Sequence, residues 1–159
     1  MLKIKEFETE YTEQISRIII RNLLEINSKD YGIKKAKEMA NNFVVEKLNK
    51  MLKNREKVYV ALEGEEVIGT AGVDKSLYND NEYCILTVFV KPEKQKNNVG
   101  TKLINKIEEY AKKQSIKRLI VPASITASDF YYKLGYKYKN GKKELNEENM
   151  YIMEKDLKK

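Results

Sequence analysis

The chain of 159 residues has no histidine, one cysteine and only two prolines. Without histidine there is no Ser-His-Asp triad, no Cys-His dyad and no imidazole metal site. The lone Cys84 excludes an intramolecular disulfide framework and any cysteine cluster for zinc or iron–sulfur. One cysteine and no recognisable signal peptide lead us to expect a cytoplasmic, reducing environment. No apolar run approaches the ~18–20 residues that cross a bilayer, so no membrane partner is expected. No Gly/Ser/Pro-rich linker and no internal repeat divides the sequence, and a single domain over 1–159 is expected. Acidic residues are outnumbered: 31 Lys+Arg against 24 Asp+Glu give a net charge of +7. That balance suits an anionic partner, a nucleic acid or a phosphorylated small molecule, without choosing between them.

What is present is a sequence of clear periodicities. Residues 2–7 alternate apolar and charged, which predicts a half-buried strand. Ile15, Ile18, Ile19, Leu23 and Ile26 recur at helical spacing, with Glu10 and Glu13 near the start, where the helix dipole favours anions. Residues 27–32 interrupt that stripe. A second, continuous helix is expected from Ile33 through Phe43 and Val44 to Leu52. At Val58 the period falls from about 3.6 to 2, the strand signature. Gly64-Glu65-Glu66 reads as a hairpin turn into 67–74, and 75–81 as a loop. The near-continuous apolar run 83–90 predicts a strand buried on both faces, stopped by Lys91-Pro92. A third helix turns Leu103, Ile104 and Ile107 inward, and 117–123 is a further buried strand. Thr126 and Asp129 have capping-box spacing for a short helix that Gly135 ends. Residues 136–139, a turn at Asn140-Gly141 and a strand at 151–155 follow. The order β-α-α-β-β-β-α-β-α-β-β indicates an α+β fold with a mixed α/β sheet.

Chemistry concentrates in 86–103, LTVFVKPEKQKNNVGTKL. A buried strand ends at a proline, a polar loop follows, and a helix begins near Val99. A helix start presents unpaired N–H groups and the positive end of the dipole, which together bind anions. Lys94, Lys96 and Lys102 add charge nearby, although an ordinary solvated loop has the same composition.

This stretch resembles the acetyl-CoA-binding core of the GNAT superfamily of N-acetyltransferases. Gln95-Lys96-Asn97-Asn98-Val99-Gly100 is similar to the family's (Gln/Arg)-x-x-Gly-x-(Gly/Ala), with Asn98 in place of the first glycine. Asparagine tolerates positive φ better than other non-glycine residues. Downstream, Ser124 to Tyr136 resembles Asn-x-x-Ala-x-x-Phe-Tyr-x-Lys-x-Gly-(Phe/Tyr), with Ser124 in place of the asparagine. The resemblance implies a GNAT-like fold and acetyl-CoA as co-substrate. It implies that Val88, Phe89 and Val90 run beside the pantetheine arm. Gln95, Lys96, Asn97, Asn98, Val99, Gly100 and Thr101 would cradle the pyrophosphate, with Ser124 and Phe130 also at the cofactor. Tyr131 would be the general acid, and a strand N–H would polarise the thioester oxygen. The amine would attack directly in a ternary complex. Asp30 and Tyr31 fall where the family places part of its acceptor site.

The amine must also lose a proton, and Glu82, two residues before Cys84, is the candidate base. A solvated carboxylate at a strand end is the plainer reading of Glu82, and a buried core residue that of Cys84. Pro122 is out of place in a central strand. The conflict disappears if the fourth and fifth strands pair only at their beginnings and splay around the site, leaving Pro122 facing a gap. The acceptor is expected to be a small-molecule or peptide amine and the protein a monomer or homodimer, with no metal. Two rivals remain at this level: a CoA-binding module without catalysis, and a nucleic-acid-binding protein.

Overall fold

The computed structural model describes residues 1–76 and 79–157. Leu77 and Tyr78, in the middle of the expected 75–81 loop, lie outside the described residues. The elements are β1 (Leu2–Glu6), α1 (Thr12–Asn22), α2 (Ser28–Tyr31), α3 (Ile33–Ala40), α4 (Val45–Asn54), β2 (Lys57–Glu63), β3 (Glu66–Lys75), β4 (Glu82–Val90), α5 (Val99–Lys113), β5 (Arg118–Ser124), α6 (Ser128–Lys133), β6 (Lys137–Tyr138) and β7 (Met150–Asp156). The strands form one seven-stranded sheet in the order β1-β2-β3-β4-β5-β7-β6. Every neighbouring pair is antiparallel except β4 and β5.

Strand alternation divides the core into two layers. Val58, Val60 and Leu62 of β2 pack with Ile15, Ile19 and Leu48 of α1 and α4. Tyr59 and Ala61, their alternate neighbours, pack with Leu103 and Ile107 of α5 on the opposite face. The period-2 signal at Val58 therefore reports a strand sandwiched between helices. The β2–β3 turn is the two-residue hairpin expected at Gly64, which takes φ +60.

The expected second helix is broken. Between α3 and α4 the chain passes through a short 3₁₀ turn, and Val44 is extended (φ −64, ψ 153). Two asparagines followed by two β-branched valines make 41–45 the weakest helix-forming part of the stretch. The Ser16 hydroxyl fixes the break by donating to the Phe43 carbonyl at 2.6 Å. The capping box is also absent. Helix α6 has no side-chain cap, because the Thr126 hydroxyl donates to Asp30 of α2 at 2.7 Å instead. Gly135 does end α6, with φ +97.

The feature that positions the site is the join between β4 and β5. Their parallel ladder covers Glu82↔Arg118, Tyr83↔Leu119 and Cys84↔Ile120 and extends no further. Beyond it the strands diverge, as the proline argument requires. β5 stays paired to β7 through Ser124↔Met150. The Leu157 amide donates to the Lys117 carbonyl at 2.7 Å, so alternation sends the bonds of 119, 121 and 123 towards β7. Pro122 thus turns its missing N–H towards the opening, where no partner strand exists.

Candidate active site

The opening is a cavity of about 460 Å³. β4 lines one wall from Ile85 to Val90, and Val121, Pro122 and Ser124 of β5 line the other. Side chains from α1, α3, α4 and α6 close its ends.

β4 is not a regular strand here. Its pairing with β3 slips between Thr70↔Phe89 and Gly72↔Leu86, and Thr87 takes φ +58. A β-branched residue in the left-handed region is strained and persists only where the surroundings enforce it. The bulge resets the alternation. Val88 packs with the α5-side core, whereas Phe89 meets Phe43 edge-on at 6.2 Å on the other face. The Lys91 amide donates to the Ile68 carbonyl at 2.8 Å, so alternation directs the N–H groups of Val88 and Val90 into the opening. The Val90 carbonyl is occupied, accepting from Asn22 Nδ2 at 2.9 Å and Gln95 Nε2 at 3.2 Å.

At the open end of β4, the loop curls into α5. Asn98 adopts φ +62, ψ 14, the left-handed conformation expected of the residue replacing glycine. Gln95 and Asn97 spend their amides on turn bonds to Pro92 and Lys94. Among the described residues, the amides of Lys96, Asn98, Val99, Gly100 and Thr101 have no acceptor, and the first ladder bond runs from Lys102 to Asn98. Five free N–H groups at the positive end of a 15-residue helix make an anion cradle. Lys96 is exposed beside it, while Lys94 is held by Glu63 at 2.8 Å. Gly100 is close-packed for a different reason. A Cβ there would meet Phe130 at 3.0 Å, so the helix start and Phe130 are in close contact.

Tyr131 lines the cavity and is 4 % exposed. Its ring stands edge-on to Phe130 at 5.0 Å and to Tyr136 at 5.8 Å. Its hydroxyl has no hydrogen-bond partner among the described residues. Burial pushes its pKa well above the ordinary tyrosine value, so it stays protonated. Tyr136 differs: its hydroxyl donates to Glu108 at 2.8 Å, a packed and satisfied group. Ser124 lines the cavity, and its hydroxyl accepts the Ala127 amide at 3.2 Å.

Of the two expected acceptor residues, Tyr31 lines the cavity and Asp30 does not. Asp30 accepts from the Thr126 amide at 3.1 Å and from its hydroxyl, joining α2 to the β5–α6 connection across the mouth. Glu82 is placed elsewhere altogether. It is 8 % exposed at the paired start of β4, 3.4 Å from both Arg118 Nη1 and the Ser76 hydroxyl. It does not line the cavity. The β4–β5 ladder holds Glu82 at the closed end of the strand pair, away from the opening.

Asn22 and Arg55 are among the lining residues that sequence reasoning missed. Asn22 sits on the apolar stripe of α1 and bonds the Val90 carbonyl and, through its Oδ1, Gln95 at 2.8 Å. A polar residue between Ile18, Ile19 and Leu23 was the available signal. Arg55 follows α4 and donates to Thr87 Oγ1 at 3.1 Å. Nothing in its sequence context distinguishes it from a solvated arginine.

The chain matches the acetyltransferase (GNAT) domain family over residues 27–157. It belongs to that family, a class of acetyltransferases with acetyl-CoA as co-substrate. Solved structures carry the same fold at low identity. The PaiA N-acetyltransferase of Thermoplasma acidophilum, in complex with coenzyme A, has TM-score 0.83 at 20% identity, covering 98% of this chain and 99% of its own. A GCN5-related N-acetyltransferase of Rhodopseudomonas palustris has TM-score 0.79 at 21% identity, covering 98% and 95%. Ard1 of Thermoplasma volcanium has TM-score 0.75 at 17% identity, covering 99% of both. No curated protein sequence matches the chain.

Proposed function

We propose that this protein transfers an acetyl group from acetyl-CoA to a primary amine, with both substrates bound in the wedge between β4 and β5. The observation that carries the reading is the pairing of two features in one cavity. One is the row of free amides at the start of α5; the other is the free, protonated Tyr131 hydroxyl. Acetyl-CoA supplies an activated thioester on a long, flexible arm that ends in a diphosphate.

The residues present fit that shape. The cradle from Lys96 to Thr101 holds the diphosphate by backbone donors, which need no side-chain charge. The N–H groups of Val88 and Val90 stand in the place of a missing strand and fix the extended arm. The β4 bulge at Thr87 lies where that run ends, so the thioester comes to rest beside Tyr131 and the splayed strand. Tyr131 Oη gives its proton to the leaving sulfur, and its raised pKa keeps it charged with that proton throughout the working range. No carboxylate lines the cavity among the described residues. The amine therefore loses its proton to solvent before it attacks.

The test has two parts. Acetyl-CoA at about 100 times its dissociation constant adds about 2.7 kcal/mol of stability, read as a melting shift. Thiol release with a panel of amines then reports turnover. No shift at millimolar acetyl-CoA overturns the cofactor site. A shift without turnover of any amine reduces the protein to a CoA-binding module.

A further inference from the structure

We propose that the acceptor carries a carboxylate beside its amine, an amino acid or a close analogue, and that Arg55 is the residue that selects it. The proposal rests on the acetyl-transfer reading of the same cavity. Its observation is that Arg55 is the only charged side chain among the described residues lining a cavity that has no acid.

Arg55 is an incomplete ion site. Its side chain is 17% exposed. Of its five N–H donors, one bonds Thr87 Oγ1 at 3.1 Å. Asp74 Oδ2 lies 3.6 Å from Nη1, an ion pair too long for a hydrogen bond. Nε is buried with no partner, and no other buried side-chain nitrogen or oxygen among the described residues shares that state. Cys84 offers no compensating anion, because burial pushes its thiol up to about 11, against the opposing pull of Arg55. A second cavity of about 290 Å³ also borders Arg55 and is lined by Glu6, which Lys57 holds, Glu56, which accepts from Tyr110 at 2.7 Å, and Glu8; the ion pair of Arg55 is with Asp74 and with none of these. A half-buried guanidinium with one hydrogen bond and a 3.6 Å ion pair keeps donors to spare for a second anion.

Its place fixes which substrate supplies that anion. The amide cradle lies at the Gly100 end of the cavity, and Arg55 meets β4 at Thr87, three residues back from Val90. At ~3.3 Å per residue, about 10 Å of strand separates Thr87 from Val90, so Arg55 lies beyond the run that receives the cofactor arm. The same cavity is lined by Met39 of α3, Phe43 of the 3₁₀ turn and Met51 of α4, apolar walls suited to an uncharged side chain. A planar guanidinium matches the two oxygens of a carboxylate. A doubly charged phosphate needs a second cation, and a polyamine needs acids; neither lines the cavity among the described residues.

The experiment compares three kinds of acceptor on the unmodified protein with acetyl-CoA: apolar amino acids, their carboxamides, and diamines. Amino acids are expected to exceed the carboxamides in kcat/KM by about 10- to 100-fold, the effect of a charged hydrogen bond. Carboxamides or diamines turned over equally well overturn the proposal, while leaving acetyl transfer intact. A second measurement needs no turnover. An N-acetyl amino acid, the expected product, raises the melting temperature of the wild type. Its carboxamide does not. Arg55→Met abolishes that shift and Arg55→Lys retains part of it; should Arg55→Met not fold, Arg55→Lys and the wild-type comparison decide. No shift with the N-acetyl amino acid overturns the proposal. A shift with it but none with coenzyme A retains the carboxylate site and removes acetyl transfer.

Discussion

Tyr131→Phe separates catalysis from packing more cleanly than any other change in this protein. The substitution removes one oxygen and keeps the ring, so the edge-on contacts with Phe130 and Tyr136 at 5.0 and 5.8 Å survive. The hydroxyl has no hydrogen-bond partner among the described residues, so no partner is orphaned by its loss. The expected stability change is within about 0.5 kcal/mol, the range for a change that opens no cavity and orphans no polar group. For a domain of this size that is a melting shift of roughly 2 °C or less. Coenzyme A affinity is expected to stay the same. Turnover is expected to fall by about 10²–10⁴-fold, the span of a general acid, equal to about 2.7–5.5 kcal/mol of barrier. Tyr136→Phe is the control. It removes the 2.8 Å donor to the Glu108 carboxylate, which keeps Lys155 at 3.1 Å, so the loss of one hydrogen bond to a charged group costs about 1–3 kcal/mol of stability with turnover unchanged. Stopped-flow thiol release, to isolate the chemical step, and melting curves read both variants. Unchanged chemistry in Tyr131→Phe, or a loss of stability like that of Tyr136→Phe, refutes the assignment.

Other expectations follow from the same geometry. Asn98→Gly relieves a left-handed backbone (φ +62) and is expected to keep or tighten coenzyme A binding, whereas Asn98→Val loosens it; calorimetric titration of both decides. Glu82→Gln weakens the 3.4 Å pair with the partly exposed Arg118, costing about 1 kcal/mol, with turnover kept; a large loss of turnover restores Glu82 as a base. Asp30→Ala releases Thr126 from α2 at the cavity mouth and is expected to raise KM for the acceptor more than it lowers kcat. Because no carboxylate lines the cavity among the described residues and Tyr131 titrates above the ordinary tyrosine range, the rate is expected to rise with pH until the acceptor amine is neutral. It shows no alkaline fall below about pH 10; an enzyme acid titrating near neutrality in that profile contradicts the account.

The sequence was legible wherever one short-range rule governs a position. The change of period at Val58, the hairpin at Gly64 and the helix stop at Gly135 are local, and each is found in place. The splay of β4 from β5 was legible too, because Pro122 cannot serve a central ladder. What escaped depends on partners distant in the chain. The break at Val44 is held by Ser16, and the expected cap at Thr126 is diverted to Asp30, 96 residues away. Glu82 looked like a base at a strand end until Arg118 placed it in an ion pair. The bulge at Thr87 leaves no mark in an apolar run, because either register buries apolar residues. Arg55 could not be found, because its meaning comes from the walls around it.

The central claim is that the gap between β4 and β5 receives the cofactor, and amide-resolved titration with coenzyme A tests it directly. The account expects saturable shifts in the amide signals of Val88, Val90, Val99, Gly100 and Thr101, with β1 and β2 unmoved. Saturable binding that shifts other amides and leaves these five in place contradicts it.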